Sequence, residues 1–341
     1  MRFCLDFPTQ QTSHQRNTAL STYTSVEVCA GAGGQALGLE KARFEHLACV
    51  EIDSAACQTL RFNRKRWNVI EADLRKWEPS PSLVGVDLLA GGVPCPPFSM
   101  AGKQLGRDDE RDLFPEIIRL AEELRPRAVM IENVRGLLSK KFDGYRDEIV
   151  RELKELGYEF CGWELLNSAD YGVPQARLRS ILVAMVPEAA VHYRWPEPNK
   201  RKKTVGQALK KLMASGGWEG AEDWAEQWAK TAQGVAPALV GGSKKHGGAD
   251  LGPTRAKAAW RLLGVDGMGV ADGPPLEPQE RPRLTVEMAG VIQGFPSSWK
   301  FQGRKTAAYR QVGNAFPPPV AEAVGKQIHA ALLQADAEVE A

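Results

Sequence analysis

Cys95 stands in GGVPCPPFSMAGK, between Pro94 and the pair Pro96 and Pro97. Pro94 fixes its own φ, and Pro96 biases Cys95 away from helical dihedrals. The sulfur is therefore expected on a stiff, extended segment that directs it outward, where a thiolate is a nucleophile. The other reading of a lone cysteine is a buried, inert thiol. Glu132 closes the apolar run AVMIE and is followed by Asn133 and Val134. A carboxylate there is partly desolvated, which raises its pKa and suits a general acid at neutral pH; the alternative is a paired structural acid. In QARLR, Gln175, Arg177 and Arg179 are spaced two apart. In extended chain they project together and offer two guanidiniums and an amide to a polar, anionic or carbonyl-bearing ligand. A solvated strand start is the plainer alternative.

A second group of residues points to a nucleotide. EVCAGAGG places Gly31, Gly33 and Gly34 where an apolar run meets QALGLEKA, and Gly31, Gly33 and Ala36 fit G-x-G-x-x-A. Glycines let the backbone approach a ligand, and the helix that follows presents free N–H groups. The pattern is weak alone: it permits a ligand-free βα turn, or an NAD-dependent oxidoreductase. Glu51 ends a second apolar run, with Asp53 close by, and can accept two ribose hydroxyls. Asp73 ends a third, in EAD, and can accept from an adenine amino group. Each acid can equally be a helix N-cap or a solvated charge.

These residues need strands to carry them. From 25 to 187, apolar runs (SVEVCA, HLACVEID, NVIEAD, VDLLAGG, AVMIEN) alternate with amphipathic stretches, and FCGWELLNSADYGVPQARLRSILVAMV supplies two more runs. The alternation predicts an α/β fold, a mostly parallel sheet with helices on both faces. Cys95, Glu51, Asp73 and Glu132 then all lie at the carboxyl ends of strands, where open α/β sheets bind ligands. The polar stretch 1–24 reads as a tail. Residues 190–283 are rich in Gly, Pro and Lys and hold five of the nine tryptophans, so they read as a smaller, loop-rich domain. Helical pattern returns over 284–341, and its acidic tail ADAEVEA is expected to fray.

The chain has 341 residues, 43% hydrophobic and 25% charged, ordinary for a water-soluble domain of this size. No apolar run approaches the length that spans a bilayer, and no signal peptide is visible. The six cysteines form no C-x-x-C pair, so a metal site is not expected and a reducing, cytoplasmic setting is. Residues 190–283 carry 15 Lys/Arg against 10 Asp/Glu, a net of +5 that leaves −3 for the rest. This asymmetry favours a polyanionic partner for that stretch.

Taken together, EVCAGAGG, VPCPPFS, ENV, QARLR, EMAGVIQGFPSSW and RQVGNAF resemble, in order and spacing, the motifs of the DNA (cytosine-5)-methyltransferases. The resemblance covers about 25–187 and 284–330 and implies the Rossmann-like AdoMet-dependent methyltransferase fold, with 190–283 as a target recognition domain. It implies S-adenosyl-L-methionine (AdoMet) as cofactor. Gly31, Ala32, Gly33 and Gly34 would line its methionine end, Glu51 would take its ribose and Asp73 its adenine, with Cys29, Ile52 and Leu74 also binding the cofactor. Gly92, Pro94, Leu113, Asn314 and Ala315 would complete the pocket. Cys95 would attack cytosine C6, Glu132 would meet N3, and Pro94, Ser99, Gln175, Arg177 and Arg179 would hold the flipped nucleotide. SMAGKQLGRDDERDLF would close over it. Cys29 and Ile52 stand where the family often has aromatics that pack on the cofactor. The expected partner is double-stranded DNA, with a cognate restriction endonuclease acting separately on the same site and the enzyme a monomer. A tRNA cytosine-5 methyltransferase would share these motifs.

Overall fold

The structure is a computed structural model that describes residues 22–94, 112–242 and 248–341. Cys95 and Ser99, most of the stretch expected to close over the base, and Lys244 and Lys245 of the basic 190–283 stretch lie outside the described residues.

In chain order the strands are β1 (Tyr23–Val28), β2 (Phe44–Glu51), β3 (Val69–Glu71), β4 (Leu88–Gly92), β5 (Ala128–Val134), β6 (Glu159–Asn167), β7 (Gln175–Ala176), β8 (Leu178–Met185) and β9 (Ala236–Pro237). The helices are α1 (Gly34–Lys41), α2 (Ser54–Asn63), α3 (Phe114–Leu124), α4 (Asp143–Glu155), α5 (Pro187–Ala190), α6 (Val205–Met213), α7 (Ala221–Thr231), α8 (Thr254–Leu262), α9 (Val286–Gln293), α10 (Lys305–Asn314) and α11 (Pro318–Glu340). Seven strands form one sheet in the order β3-β2-β1-β4-β5-β8-β6, and β7 pairs with β9 in a separate ribbon. Strands β1 to β5 are mutually parallel, and β8 runs antiparallel to both β5 and β6. Strand order reverses between β1 and β4, which opens a crevice at their carboxyl ends.

The apolar runs become central strands because both faces are covered. In β5 every residue from Ala128 to Asn133 is buried, as expected of a strand sandwiched between helices. Helix α3 shows how the covering layer is specified. Phe114, Ile117, Leu120, Ala121 and Leu124 recur on one stripe and are buried. Asp112 accepts from the Phe114 N–H at its start, and Arg125 takes a left-handed φ of 48° at its end, ahead of Pro126. Each large apolar side chain on the stripe contributes about 1.5–3 kcal/mol of burial, so Leu120→Asp would unseat the helix.

Two cores result. One lies on the sheet and takes in α11 through Val320, Val324, Ile328 and Leu332. The other joins α6, α7 and α8 to Met288, Ile292, Tyr309 and Val312 of α9 and α10. Trp224 and Trp228 serve packing: Trp228 is buried and donates to Gly264 O at 2.8 Å, and Trp224 lies tilted against Trp218.

Two expectations are corrected at the chain's ends. β1 begins at fully buried Tyr23, so the polar tail stops short of residue 24. The acidic C-terminal stretch does not fray: α11 continues to Glu340. Asp336 within it accepts from Tyr23 Oη at 2.6 Å and from Arg127 Nη2 at 2.5 Å. Those two bonds pin the last turns to the amino-terminal ends of β1 and β5.

Candidate active site at the carboxyl ends of the strands

A cavity of about 810 Å³ opens over the crevice, with Glu51, Asp73, Gly92 and Glu132 in its lining. Each is placed by the end of its strand. Glu51 is the last residue of β2, and its two oxygens accept from the backbone N–H of Asp53 and of Gly31, each at 2.7 Å. The carboxylate thus ties the glycine turn to the sheet. Burial raises its pKa, and these N–H groups oppose the rise. Gly31 and Gly33 have φ of 52° and 84°, a conformation that glycine adopts without strain. Cys29 takes φ of 50° without that freedom. Its thiol is pushed up by burial and by Glu51, so it is held as a thiol.

At the outer end, Asp73 caps the turn Leu74–Lys76 and is held below the usual carboxylate range by Arg75, whose Nη2 lies 2.6 Å away. Ile52 lies on the rim of the cavity, 64% exposed. At the inner end, Glu132 Oε1 lies 2.6 Å from Arg179 Nε. Burial raises the Glu132 pKa, and Arg179 and Arg177 pull it down.

Most residues expected to bind the cofactor or substrate meet at this cavity: Cys29, Gly31, Ala32 and Gly34 from the turn; Leu74, Gly92, Pro94 and Leu113; Asn314 and Ala315; and Arg177 and Arg179. Two do not. Gly33 caps α1 and turns its open face to Leu60 and Trp299. Gln175 is 0% exposed, and its amide is spent inside the protein. It accepts from Leu239 N at 2.7 Å and donates to Gln293 Oε1 at 2.7 Å and Ile292 O at 3.3 Å. The expected common face of QARLR breaks because Gln175 belongs to β7, which pairs with β9 instead of the main sheet. Arg177 has a mixed position. Its Nη1 and Nη2 donate to Leu239 O at 2.7 Å and Gly313 O at 2.8 Å, while Nε has no partner among the described residues.

Sequence reasoning missed three residues. Asn133 donates to Val93 O at 3.0 Å and accepts from Val134 N at 2.8 Å, so it fixes the backbone just before Pro94. Its signal was its place beside Glu132 in ENV. Glu27 and Gln35 also line the cavity; their polarity inside apolar runs was the available sign. Among the described residues, no group of His, Cys, Asp and Glu side chains could hold a metal ion.

The reversed strand order and a cavity lined by strand-end carboxylates define a ligand-binding α/β enzyme domain, and the fold is that of the AdoMet-dependent methyltransferases. A mutant of Spodoptera frugiperda DNMT2 superposes with a TM-score of 0.63 at 18% identity, covering 90% of this chain and 99% of that one. The Entamoeba histolytica methyltransferase EhMeth gives 0.62 at 14% identity, covering 91% and 98%. Residues 23–330 match the family model of the C-5 cytosine-specific DNA methylases, and the chain belongs to that family. It is 57% identical over 318 residues to the Type II methyltransferase M.NaeI of Lentzea aerocolonigenes, covering 90% of this chain and 75% of the relative. To M.NgoMIV of Neisseria gonorrhoeae it is 53% identical over 313 residues, covering 91% and 98%. The family's reaction is methylation of cytosine C5 in DNA, and family and fold imply AdoMet as the methyl donor. The oxidoreductase reading of the glycine turn is thereby overturned.

Proposed function

We propose that the protein methylates one cytosine within a specific duplex DNA site, as a monomer and as the modification partner of a restriction endonuclease. The similarity to two Type II methyltransferases supports that setting. The observation that carries the site assignment is the inner end of the cavity, where the withdrawn carboxyl of Glu132 faces Arg179 at 2.6 Å.

The residues present fit AdoMet. Each Glu51 oxygen accepts one backbone N–H, which leaves acceptor capacity for ribose hydroxyls. Ile52, Asp73 and Leu74 would hold the adenine, and Gly31, Ala32 and Gly34 the methionine end. Gly92, Pro94, Leu113, Asn314 and Ala315 close the pocket. When bound, AdoMet supplies an electrophilic methyl group. The chain's own task is to make cytosine C5 nucleophilic. The Cys95 thiolate adds to C6, and the ring's electron pair moves toward C5 and N3. Glu132 gives N3 a proton or a strong hydrogen bond, and Arg179 holds O2, so the charge that develops is met by preorganised groups. Once C5 carries the methyl group, loss of its proton to a base, expulsion of the Cys95 thiolate and return of the N3 proton to Glu132 restore the aromatic ring. Since C6 is out of reach inside a duplex, the base must leave the stack.

Target reading falls to 190–283, whose net charge is +5 and whose helix α8 exposes Arg255 and Arg261. Incubation with AdoMet and either duplex DNA or tRNA tests the reading, with bisulfite sequencing of the products. Methyl groups at one cytosine of a recurrent duplex site are expected; methylation of tRNA alone would overturn it.

A further inference from the structure

Arg177 is the single residue that joins β7 to β8, and it is 3% exposed. Its guanidinium donates to two backbone carbonyls, Leu239 O at 2.7 Å and Gly313 O at 2.8 Å, while the Glu132 carboxylate is gripped by Arg179. A guanidinium withdrawn from water and met by neutral carbonyls is a costly arrangement, and neither carbonyl belongs to the main sheet. Leu239, and Val312 next to Gly313, are members of the second core, with α6 to α8. Strand β8 is built into the sheet core from Ile181 onward. Arg177 is thus a residue of the sheet side whose side chain is anchored, on both of its bonds, in the other core.

The hold on Leu239 is doubled. Gln175 Oε1 accepts from Leu239 N at 2.7 Å, so the peptide groups on either side of Leu239 are taken by two side chains spaced two residues apart. Ahead of Leu239, β9 pairs in parallel with β7, Ala236 opposite Gln175 and Pro237 opposite Ala176. Beyond it, Gly241 lies flat on the last turn of α10. A Cβ on Gly313 would run into Gly241 N, and one on Gly241 into Arg310 O and Asn314 Oδ1, so the two backbones meet only as glycines. Leu239, Val240 and Gly241 line the cavity that also holds Glu132 and Arg179. Part of the wall of the reaction site therefore comes from the stretch 190–283, to which target reading falls.

The route from that wall to the reacting groups is short. Arg179 is two residues on from Arg177, and its Nε lies 2.6 Å from Glu132 Oε1. A shift of Leu239 and Gly313 against the sheet pulls on Arg177 and, through Leu178, on the side chain that holds Glu132. Packed bodies of this kind pass from one arrangement to another in steps and do not yield continuously.

We infer that Arg177 is a positioning residue, through which the seating of the target-reading stretch on DNA sets the Arg179–Glu132 pair, so that the correct site is selected in the rate of methyl transfer as well as in binding. This rests on the reading above that 190–283 recognises the site. An interaction completed only when the right substrate is seated raises the rate for that substrate alone.

Single-turnover methylation at saturating AdoMet and DNA tests this, on the site located by the bisulfite sequencing above and on sites with one base pair changed, with DNA affinity measured alongside. The wild type is expected to methylate fully bound changed sites about tenfold or more slowly than its own. Arg177→Met removes both carbonyl bonds and keeps an apolar stem. Its rate on the correct site should fall about tenfold to a hundredfold, and its rate on changed sites should stay nearly where it was. The two rates then converge while the ratio of affinities persists. Arg177→Lys, which lacks the fork and cannot span both carbonyls, should lie between. An equal loss on every site is what a contact to the flipped nucleotide, or a purely structural role, would give, and it would overturn the inference. Equal rates on correct and changed sites in the wild type would overturn it too, and that measurement needs no variant to fold. Failure of the wild type to methylate any duplex would remove the reading of the function and the inference with it.

Discussion

Arg179 reaches Glu132 diagonally across the β5–β8 ladder: Glu132 stands opposite Ile181, Arg179 stands opposite Val134, and the guanidinium Nε closes the gap to 2.6 Å. The antiparallel return of β8 makes this possible, since a parallel strand would carry its ligand-end residues on from a separate crossover. Both side chains are largely withdrawn from water, so each depends on the other.

Arg179→Ala should therefore damage stability as well as catalysis. Removing one partner of a buried pair costs about 3–5 kcal/mol. Denaturant unfolding should show that loss, and Arg179→Lys should recover part of the stability but little of the activity, because the fork is gone. Unfolding midpoints equal to wild type would contradict the burial argument.

Gln175→Ala should separate structure from substrate contact. Leu239 N–H and the Gln293 amide would each lose a buried partner, at about 1–3 kcal/mol per group. The melting temperature should fall, while affinity for AdoMet stays essentially unchanged. A variant as stable as the wild type but with a raised KM for DNA would return Gln175 to the substrate site.

Gly92→Ala would place a methyl group 3.0 Å from Glu132 Oε2. The carboxyl must shift to accommodate it. Displacement of this kind at a reacting group costs about tenfold to a hundredfold in kcat, with the fold intact by circular dichroism. Unchanged kcat would mean that the position of Glu132 is not critical.

Glu27 makes stability depend on pH in a defined sense. Its folded pKa is raised from an unfolded value of 4.5. Below that value both states hold the proton and nothing is lost. As pH rises above it, the unfolded chain releases the proton first, and folding loses up to about 1.4 kcal/mol per pH unit until the raised value is reached. Glu27→Gln should thus be more stable than wild type at pH 8, with the advantage shrinking toward pH 5, as read from melts across that range. Glu132, also raised, should give kcat a limb that falls as pH climbs through its folded pKa, since the proton-bearing form serves N3.

The sheet was legible because its strands are continuous apolar runs and the intervening stretches keep helical spacing. Strand ends could then be named from sequence, and with them Glu51, Asp73 and Glu132. What sequence could not supply was partners. Strand alternation put Gln175 beside Arg177 and Arg179, but pairing of β7 with β9 is a long-range event that turned it inward. Nothing in the pattern of α9 and α10 said that they share a core with α6 to α8. The position of the last turns of α11 depends on Asp336 meeting Tyr23 and Arg127, more than two hundred residues away. Glu27 and Gln35 were hidden by their own neighbours, since a lone polar residue in an apolar run reads as noise until its surroundings are known.

The central claim is covalent attack by Cys95, and a duplex carrying 5-fluorocytosine at the target position tests it most directly. The fluorine cannot leave as a proton does, so elimination fails and the enzyme stays attached. The account predicts a stable protein–DNA adduct in the presence of AdoMet, with the modified peptide containing Cys95, and no adduct with Cys95→Ser although that variant still binds AdoMet. Methyl transfer by Cys95→Ser, or no adduct with the wild type on a site it methylates, would contradict it.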